Sequence, residues 1–386
     1  MKIISNAFVL TIIIVGGLYY ANSIFEPRSL LSSNAKNMKL KHKPAIVAHR
    51  GGRGIKPENT IEAMRYSYEN YDADMIETDI HITKDGEFIF IHDDTLERIT
   101  NGTGFIKDYT LAELKQLDFG YWFTDGKRYP YRGKGIHCNT LREGYEEFKD
   151  KNAIMSVEIK DRDITVIDKL VDYLNTLSGY EKFMCFCCAN HTMISYFKEK
   201  TNHQLCYEAS EIDAVGYVIA TSLGITNLWY HFIPNENRFF HVPFISLGGI
   251  DFLDKKMLQI LPKIDLEIMY FTINNKRDAA ICIGKKCDGL TSDRPDIIEE
   301  LLHSITEREL VHNERFNGVI SLDAKDISWE CESISCEFID VVTSTIPIPL
   351  IFICSIFIIN ICLFSIIHIL MMILSLPFNL FKKKNE

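Results

Sequence analysis

Between residues 44 and 305, short apolar runs rich in β-branched and aromatic residues alternate with stretches of helical periodicity. The runs predict strands at Ala45–Ala48, Met75–His81, Phe88–His92, Ile154–Ile159, Phe183–Cys188, Gln204–Tyr207, Val242–Leu247, Glu267–Ile273 and Gly289–Ser292. The helical stretches fall between them, at 58–70, 140–151, 163–178, 190–201, 254–263 and 294–304. Strands that alternate with helices indicate a parallel sheet. If 75–81 and 88–92 form one hairpin, eight β/α units remain, and they predict a (β/α)8 barrel over 44–305.

Two apolar segments flank the predicted barrel. Residues 1–27 favour an uncleaved signal anchor over a signal peptide, because no small-residue cleavage site is clear. Residues 346–377 form an uncharged run long enough for a hydrocarbon core of ~30 Å, and a basic tail follows at 378–386. We therefore predict two transmembrane segments, with 28–43 as a polar linker and 306–345 as an acidic stalk.

The charges beside these segments predict an orientation. Three lysines in the tail place it in the cytosol, so the catalytic domain is expected on the lumenal or extracellular face of the endoplasmic reticulum or plasma membrane. The basic residues of 28–43 conflict with this orientation. Residues 214–234 carry no charge and include Trp229, Tyr230 and Phe232. They predict an insertion that contacts the lipid bilayer without spanning it, with an ordinary buried helix as the alternative.

Charge and cysteine usage narrow the class of partner. The net charge of −10 argues against a nucleic-acid binder, since affinity for phosphate backbones depends on clustered lysine and arginine. The 11 cysteines show no zinc-binding spacing. No feature of the sequence indicates an obligate protein partner.

Charged and imidazole side chains cluster where the predicted strands end, which is where barrel enzymes place their reactive groups. These residues are His49, Arg50, Glu77, Asp79, His92, Glu158, Lys160 and Asn274. Three carboxylates at one mouth repel one another unless a cation lies between them, and oxygen ligands favour Mg²⁺ or Ca²⁺. Arginine and lysine suit phosphate oxygens, and two histidines can divide acid and base catalysis. Together these groups predict cleavage of a phosphodiester.

Six motifs carry a resemblance to the glycerophosphodiester phosphodiesterase family. They are HRGG (49–52), PENT (57–60), IETDIHITKDG (76–86), IHDDTLERITNGTG (91–104), VEIK (157–160) and CDGLTSDRPD (287–296). Their order and spacing are similar to the family's from about residue 45 to 302. The resemblance implies a TIM barrel that attacks phosphorus in line. By position, it implies His49 and His92 as the acid/base pair, Glu77, Asp79 and Glu158 as metal ligands, and Arg50 and Lys160 as phosphate-contacting groups. Asn274, at the end of the seventh predicted strand, is a further predicted substrate-binding residue.

Two departures and one further likeness bear on the substrate. Phe271 stands where the family commonly has tryptophan, and CFCCAN (185–190) lacks a clear match to the family's usual Ser-Phe. The segment FFHVPFISLGGIDFL (239–253) resembles the membrane-anchored members that act as lysophospholipase D. We therefore expect cleavage of lysophospholipids to lysophosphatidic acid and a headgroup alcohol, with hydrolysis of glycerophosphodiesters to glycerol 3-phosphate as the alternative. The filled acidic and imidazole positions disfavour a silent membrane scaffold, and the intact PENT and DGLTSDRPD disfavour a phospholipase C-like enzyme. For Asn59 in PENT, the pattern predicts a helix cap.

Overall fold

The computed structural model describes residues 2–244 and 255–305. The strands are β1 (Ala45–Ala48), β2 (Met75–Ile82), β3 (Phe88–Phe90), β4 (Ile154–Ile159), β5 (Met184–Cys187), β6 (Cys206–Tyr207), β7 (Phe239–Pro243), β8 (Glu267–Phe271) and β9 (Gly289–Ser292). The helices are α1 (Lys2–Ile24), α2 (Ser33–Asn37), α3 (Ile61–Tyr71), α4 (Leu111–Leu114), α5 (Leu141–Phe148), α6 (Thr165–Leu174), α7 (His191–Lys200), α8 (Glu211–Ser222), α9 (Thr226–Phe232), α10 (Lys255–Ile260), α11 (Lys276–Gly284) and α12 (Pro295–Ile305).

The strands form a parallel barrel in the order β6-β5-β4-β2-β1-β9-β8-β7. Strand β3 pairs antiparallel with β2 and adds no barrel position, so the hairpin prediction and the count of eight units are confirmed. The two ends of the sheet meet at a single parallel bridge between Glu208 and Phe239. The (β/α)8 fold is therefore correct, and its closure is weakest between β6 and β7.

The inward faces of the strands change character from one end of the barrel to the other. Apolar residues lie inside at the amino ends, where Val47, Met75, Ile154, Cys185, Cys206, Phe239 and Met269 form one buried cluster. Side chains two positions further along a strand point the same way, and there the sequence supplies carboxylates, histidines and a cysteine. The alternation thus puts the polar groups at the carboxyl end of the barrel.

The segment 28–43 covers the amino end of the barrel. It contains α2, and its Leu31, Ala35 and Met38 are buried in the apolar cluster of the strand interior. Ser32 caps α2 by accepting a hydrogen bond from the Ala35 backbone N–H. The sequence predicted a polar linker here because its charged residues outnumber these three apolar contacts.

Of the two predicted transmembrane segments, only the N-terminal one lies within the residues that the structure describes. Among the residues that the structure describes, no helix combines the length and the apolar character needed to cross a bilayer. The predicted N-terminal span is contradicted by this finding, and so is the location as an integral membrane protein. The last turn of α1 instead contacts α9, where the Leu228 backbone N–H donates to the Asn22 side chain. The predicted C-terminal span at 346–377 and the stalk lie outside the described residues.

Strand β7 and the uncharged segment 214–234 are among the elements that differ from the sequence prediction. Strand β7 begins at Phe239, three residues before the predicted start, because its first residues pair with β8 from Glu267 onward. The uncharged segment 214–234 folds as most of α8 and all of α9. Ser210 and Asp213 form a capping box at the start of α8, a signal in the sequence that the uncharged run concealed.

Candidate active site

Three carboxylates meet at the mouth of the barrel on neighbouring strands. Glu77 and Asp79 lie on the same face of β2, and Asp79 is paired in register with Glu158 of β4. Oxygens of all three lie within 4.8 Å of one another. The carboxylates that the sequence predicted as metal ligands therefore do come together.

The electrostatics of this triad favour a bound cation. Burial raises the pKa of Glu77 well above its ordinary value, and repulsion from Asp79 adds to the rise. Burial and the charge of Asp79 also raise the pKa of Glu158, against the lowering effect of Lys160. A divalent cation would offset this repulsion between the carboxylates, and an all-oxygen donor set suits Mg²⁺ or Ca²⁺. The residues present thus fit the predicted metal.

The buried Asn59 fixes the orientation of Asp79 in the triad. Its amide Nδ2 donates to Asp79 Oδ2 over 2.9 Å, and its Oδ1 accepts from the Thr78 hydroxyl over 2.8 Å. The side chain is wholly buried, and the backbone adopts a φ of 56°. The prediction that Asn59 caps the following helix is wrong, because Thr60 takes that position and accepts from the Ala63 N–H. Asn59 fixes the orientation of a carboxylate instead.

His49 lies just after β1 and is oriented by Asp293, which follows β9. Its Nδ1 lies 2.6 Å from Asp293 Oδ1, and its Nε2 lies 4.0 Å from Glu77 Oε2. Asn274 donates to the other oxygen of Asp293 over 2.9 Å. Burial alone would raise the pKa of Asp293, but the hydrogen bond from His49 lowers it. Asn274, predicted to bind substrate, is placed to position Asp293.

His92 is oriented by a second aspartate. Its Nδ1 lies 2.7 Å from Asp93 Oδ1, and Arg98 also donates to Asp93. Burial would raise the pKa of Asp93, but hydrogen bonds from Arg98 and His92 lower it to about 2. Arg98 also forms two hydrogen bonds with Glu58, of 2.8 and 2.6 Å. A carboxylate that stays ionised thus faces Nδ1 of each predicted catalytic histidine.

The two predicted phosphate-binding cations lie beside the triad. Lys160 Nζ donates to Glu158 Oε1 over 3.0 Å and lies 3.7 Å from Asp79. Arg50 sits in the left-handed region with a φ of 50°, which turns its backbone N–H toward Glu77 Oε2 at 2.7 Å. Its buried Nε has no hydrogen-bond partner and lies 3.7 Å from Asp79 Oδ2. Both cationic groups are therefore within reach of an anion bound at the triad.

A cavity of about 760 Å³ opens beside the triad. Its lining includes Glu158, Glu208 and His241 on the barrel side and Ala214 and Val218 on the side of α8. The mouth therefore has two parts, which we name by strand. The catalytic sector lies over β9, β1, β2, β3 and β4, and the cavity sector lies over β5 to β8.

The aspartates that orient the two histidines were not among the predicted site residues. Asp93 and Asp293 lie within motifs that the sequence displays, each adjacent in the chain or in space to a histidine. Their signal was the position shortly after a strand, three residues past β3 for Asp93 and one residue past β9 for Asp293. His81 is a further case, since it lies two residues after Asp79 on the same face of β2. Its Nε2 is 3.3 Å from the carbonyl oxygen of His92.

Residues 49–297 match the sequence profile of the Glycerophosphoryl diester phosphodiesterase family. The chain belongs to this family. It is therefore a phosphoric diester hydrolase. A glycerophosphodiester phosphodiesterase of Caldanaerobacter subterraneus is 28% identical over 266 residues, which cover 67% of this chain and 98% of that relative.

The chain is also similar to a human relative and to solved structures. The human lysophospholipase D GDPD1 is 23% identical over 285 residues, covering 67% of this chain and 86% of that protein. An Oleispira antarctica phosphodiesterase solved with the product sn-glycerol-3-phosphate superposes with a TM-score of 0.54 at 23% identity, covering 68% and 97% of the two chains. A family domain from Mycobacterium tuberculosis gives a TM-score of 0.57 at 17% identity, covering 67% and 98%. These structures support the barrel fold.

Proposed function

We propose that this protein hydrolyses glycerophosphodiesters to sn-glycerol 3-phosphate and an alcohol. The observation that carries the proposal is the carboxylate triad of Glu77, Asp79 and Glu158 beside two histidines that are each oriented by an aspartate. Family membership supports the class of reaction, and the names of relatives such as the Caldanaerobacter enzyme support the substrate. Water adds to phosphorus, the bond from phosphorus to the alcohol oxygen breaks, and the alcohol leaves with a proton.

The two histidines supply and remove the protons of this reaction. Each has its Nδ1 against a carboxylate oxygen, so Nδ1 carries a proton and Nε2 remains free for the substrate or water. One ring is neutral and its Nε2 accepts a proton from the attacking water; the other is protonated at both nitrogens and donates its Nε2 proton to the departing alcohol oxygen. Asp293 and Asp93 stabilise the protonated form of the ring beside each of them.

The triad and the cationic side chains of Arg50 and Lys160 are placed to stabilise the negative charge on the phosphoryl group. Glu77, Asp79 and Glu158 would hold Mg²⁺ or Ca²⁺, which supplies Lewis-acid stabilisation of the phosphoryl oxygens when bound. Arg50 and Lys160 would contact the remaining phosphate oxygens, since both lie at the edge of the triad. Asn59 keeps Asp79 in one orientation throughout, so this part of the site needs little rearrangement.

The proposed function is tested by hydrolysis of sn-glycero-3-phosphocholine with the full chain. We expect sn-glycerol 3-phosphate and choline as products, activity lost in EDTA, and activity restored by excess Mg²⁺ or Ca²⁺. Full turnover in chelator would contradict the role of the triad, and release of phosphocholine would contradict the position of the broken bond.

A second candidate function, lysophospholipase D, is favoured by one structural observation. Helix α8, helix α9 and the turn between them expose apolar side chains: Ile219, which also lines the cavity, Leu223 at 48% and Phe232 at 66% exposure. An acyl chain, or the lipid surface that carries it, could contact this face while the headgroup enters the mouth. The human lysophospholipase D relative supports the same substrate. Of the three aromatic residues in the predicted insertion, Tyr230 is buried and Trp229 packs against Gly216, so Phe232 carries most of the exposed surface.

The two candidates are separated by changing this apolar face. We expect the double variant Leu223→Ser, Phe232→Ser to keep its turnover of glycerophosphocholine and to lose turnover of lysophosphatidylcholine presented in vesicles. Phe105→Ser is the matched control, because Phe105 is also more than half exposed but lies in a different loop. Equal losses on both substrates, or equal losses in the control, would contradict a role for this face.

A further inference from the structure

The cavity sector reaches from the triad to the underside of α8. Glu158 belongs to its wall, so a phosphodiester bound at the triad places one of its two substituents in or beside the cavity. The volume of about 760 Å³ lies within the range of small-molecule sites. The wall is therefore placed to recognise whatever is attached to phosphorus on this side.

The wall combines apolar surface with negative charge. Its apolar part comes from α8 and from strands β7 and β8, and includes Val218, Val242 and the aromatic rings of Phe240 and Phe271. Its ionisable residues, among those that the structure describes, are three glutamates, one histidine and two cysteines, with neither lysine nor arginine. A polyol would need many hydrogen-bond partners, which such a wall does not offer. An organic cation with methyl or methylene groups matches both properties.

Glu208 is the carboxylate best placed to meet a cation inside. Its side chain is 4% exposed and follows β6 at the point where the barrel closes. One carboxylate oxygen accepts from the Ser156 hydroxyl over 2.6 Å, which fixes its position. The other lies 3.4 Å from His241 Nε2, and that nitrogen is buried without a hydrogen-bond partner. Glu208 is thus held in place by Ser156, and both Glu208 and His241 belong to the lining of the cavity.

We propose that this cavity binds the leaving alcohol of the substrate and selects alcohols that carry an alkylated ammonium group, with Glu208 as the charge that recognises it. The inference rests on the proposed function and adds its specificity. Diesters whose leaving alcohol is neutral are hydrolysed through the same catalytic sector, but Glu208 adds nothing to their binding.

Two substrates that differ in the charge of the alcohol test this inference. In the unaltered full chain we expect a higher kcat/KM for glycerophosphocholine than for glycerophosphoglycerol. In Glu208→Gln, whose amide can still accept from Ser156, we expect kcat/KM for the choline substrate to fall roughly tenfold or more, as when one partner of a desolvated charge pair is removed. Turnover of glycerophosphoglycerol should change less than about twofold. Glu146→Gln, an exposed glutamate paired with Lys149, is the matched control.

A pair of inhibitors tests the charge without any substitution. Choline and 3,3-dimethyl-1-butanol share a shape, and only choline is charged. We expect choline to inhibit the unaltered protein at a lower concentration than the neutral isostere, and Glu208→Gln to remove that difference.

The outcomes separate the two levels of the proposal. If the unaltered protein hydrolyses both substrates but Glu208→Gln slows them equally, or if both inhibitors act alike, selection by Glu208 is refuted while the proposed function stands. If neither diester is hydrolysed by the unaltered protein with either cation, the proposed function itself fails. Thermal melting of both variants identifies a loss that comes from misfolding, in which case the inhibitor comparison on the unaltered protein decides.

Discussion

The catalytic sector and the cavity sector share one barrel mouth but are built differently. In the catalytic sector each reactive side chain has a named partner: Asn59 holds Asp79, Asp293 holds His49 and Asp93 holds His92. In the cavity sector apolar side chains form most of the wall.

The difference indicates a division of work. Acid–base chemistry and cation binding need groups fixed in position and charge, because small displacements of reacting atoms cost rate. Recognition of a substituent needs a cavity of matching shape and a single charge. Side chains of helix α8 can therefore be substituted without disturbing the triad. The predictions below ask whether losses of activity follow this boundary.

The largest effect is expected for the triad. Glu77→Gln should lower kcat/KM for glycerophosphocholine by about three orders of magnitude or more, since it removes a ligand from the cation. Because burial and repulsion from Asp79 raise the pKa of Glu77, the variant should melt at a higher temperature than the unaltered protein in EDTA. Added Mg²⁺ or Ca²⁺ should raise the melting temperature of the unaltered protein far more than that of the variant. A variant that is equally stabilised by cation would place the cation elsewhere.

Loss of either histidine comes next. His49→Asn and His92→Asn should each lower kcat by roughly 10²- to 10⁴-fold, the usual contribution of acid–base catalysis. Circular dichroism and cation-dependent melting should remain unchanged, because neither side chain belongs to the triad. If one variant keeps full kcat while the other is inactive, the division of roles between the two rings is wrong.

A smaller effect is expected when the aspartate behind a histidine is changed. Asp293→Asn and Asp93→Asn should reduce kcat roughly 10- to 100-fold, because an amide can still contact the ring but does not stabilise its protonated form. The pH dependence of kcat should shift in both variants. Glu181→Gln serves as a control from outside the mouth. Unchanged pH profiles would mean that these aspartates act on structure alone.

The smallest effect is expected for the apolar wall of the cavity sector. Val218→Ala removes two methyl groups from the apolar wall of the cavity. It should raise KM for glycerophosphocholine a few-fold while kcat stays the same, which is the pattern expected when ground-state binding is lost. Steady-state kinetics with both choline and glycerol diesters measures it. A large fall in kcat would show that the two sectors are not separable.

The sequence predicted the barrel and the convergence of the candidate carboxylates because both follow from the period of the strands. Two residues of separation place Glu77 and Asp79 on one face of a strand, and the ends of parallel strands bring Glu158 beside them. These relations follow from the period of the strand and the rule for barrel mouths. They need no knowledge of how loops fold.

The positioning contacts could not be predicted in the same way. The bond from Asn59 to Asp79 depends on a φ of 56° in a loop, and the PENT pattern suggested a cap that Thr60 provides instead. The burial of Leu31 depends on packing against strand interiors far away in the chain. The cavity depends on where α8 lies over β7, and the uncharged composition of 214–234 suggested lipid contact before helix packing.

The most direct test of the account is a product assay on glycerophosphocholine with the full chain, run in EDTA and then with Mg²⁺ or Ca²⁺. The account predicts no turnover in EDTA, and sn-glycerol 3-phosphate with choline once cation is present, with Glu77→Gln inactive under both conditions. Turnover that persists in EDTA, or phosphocholine as the product, would contradict it.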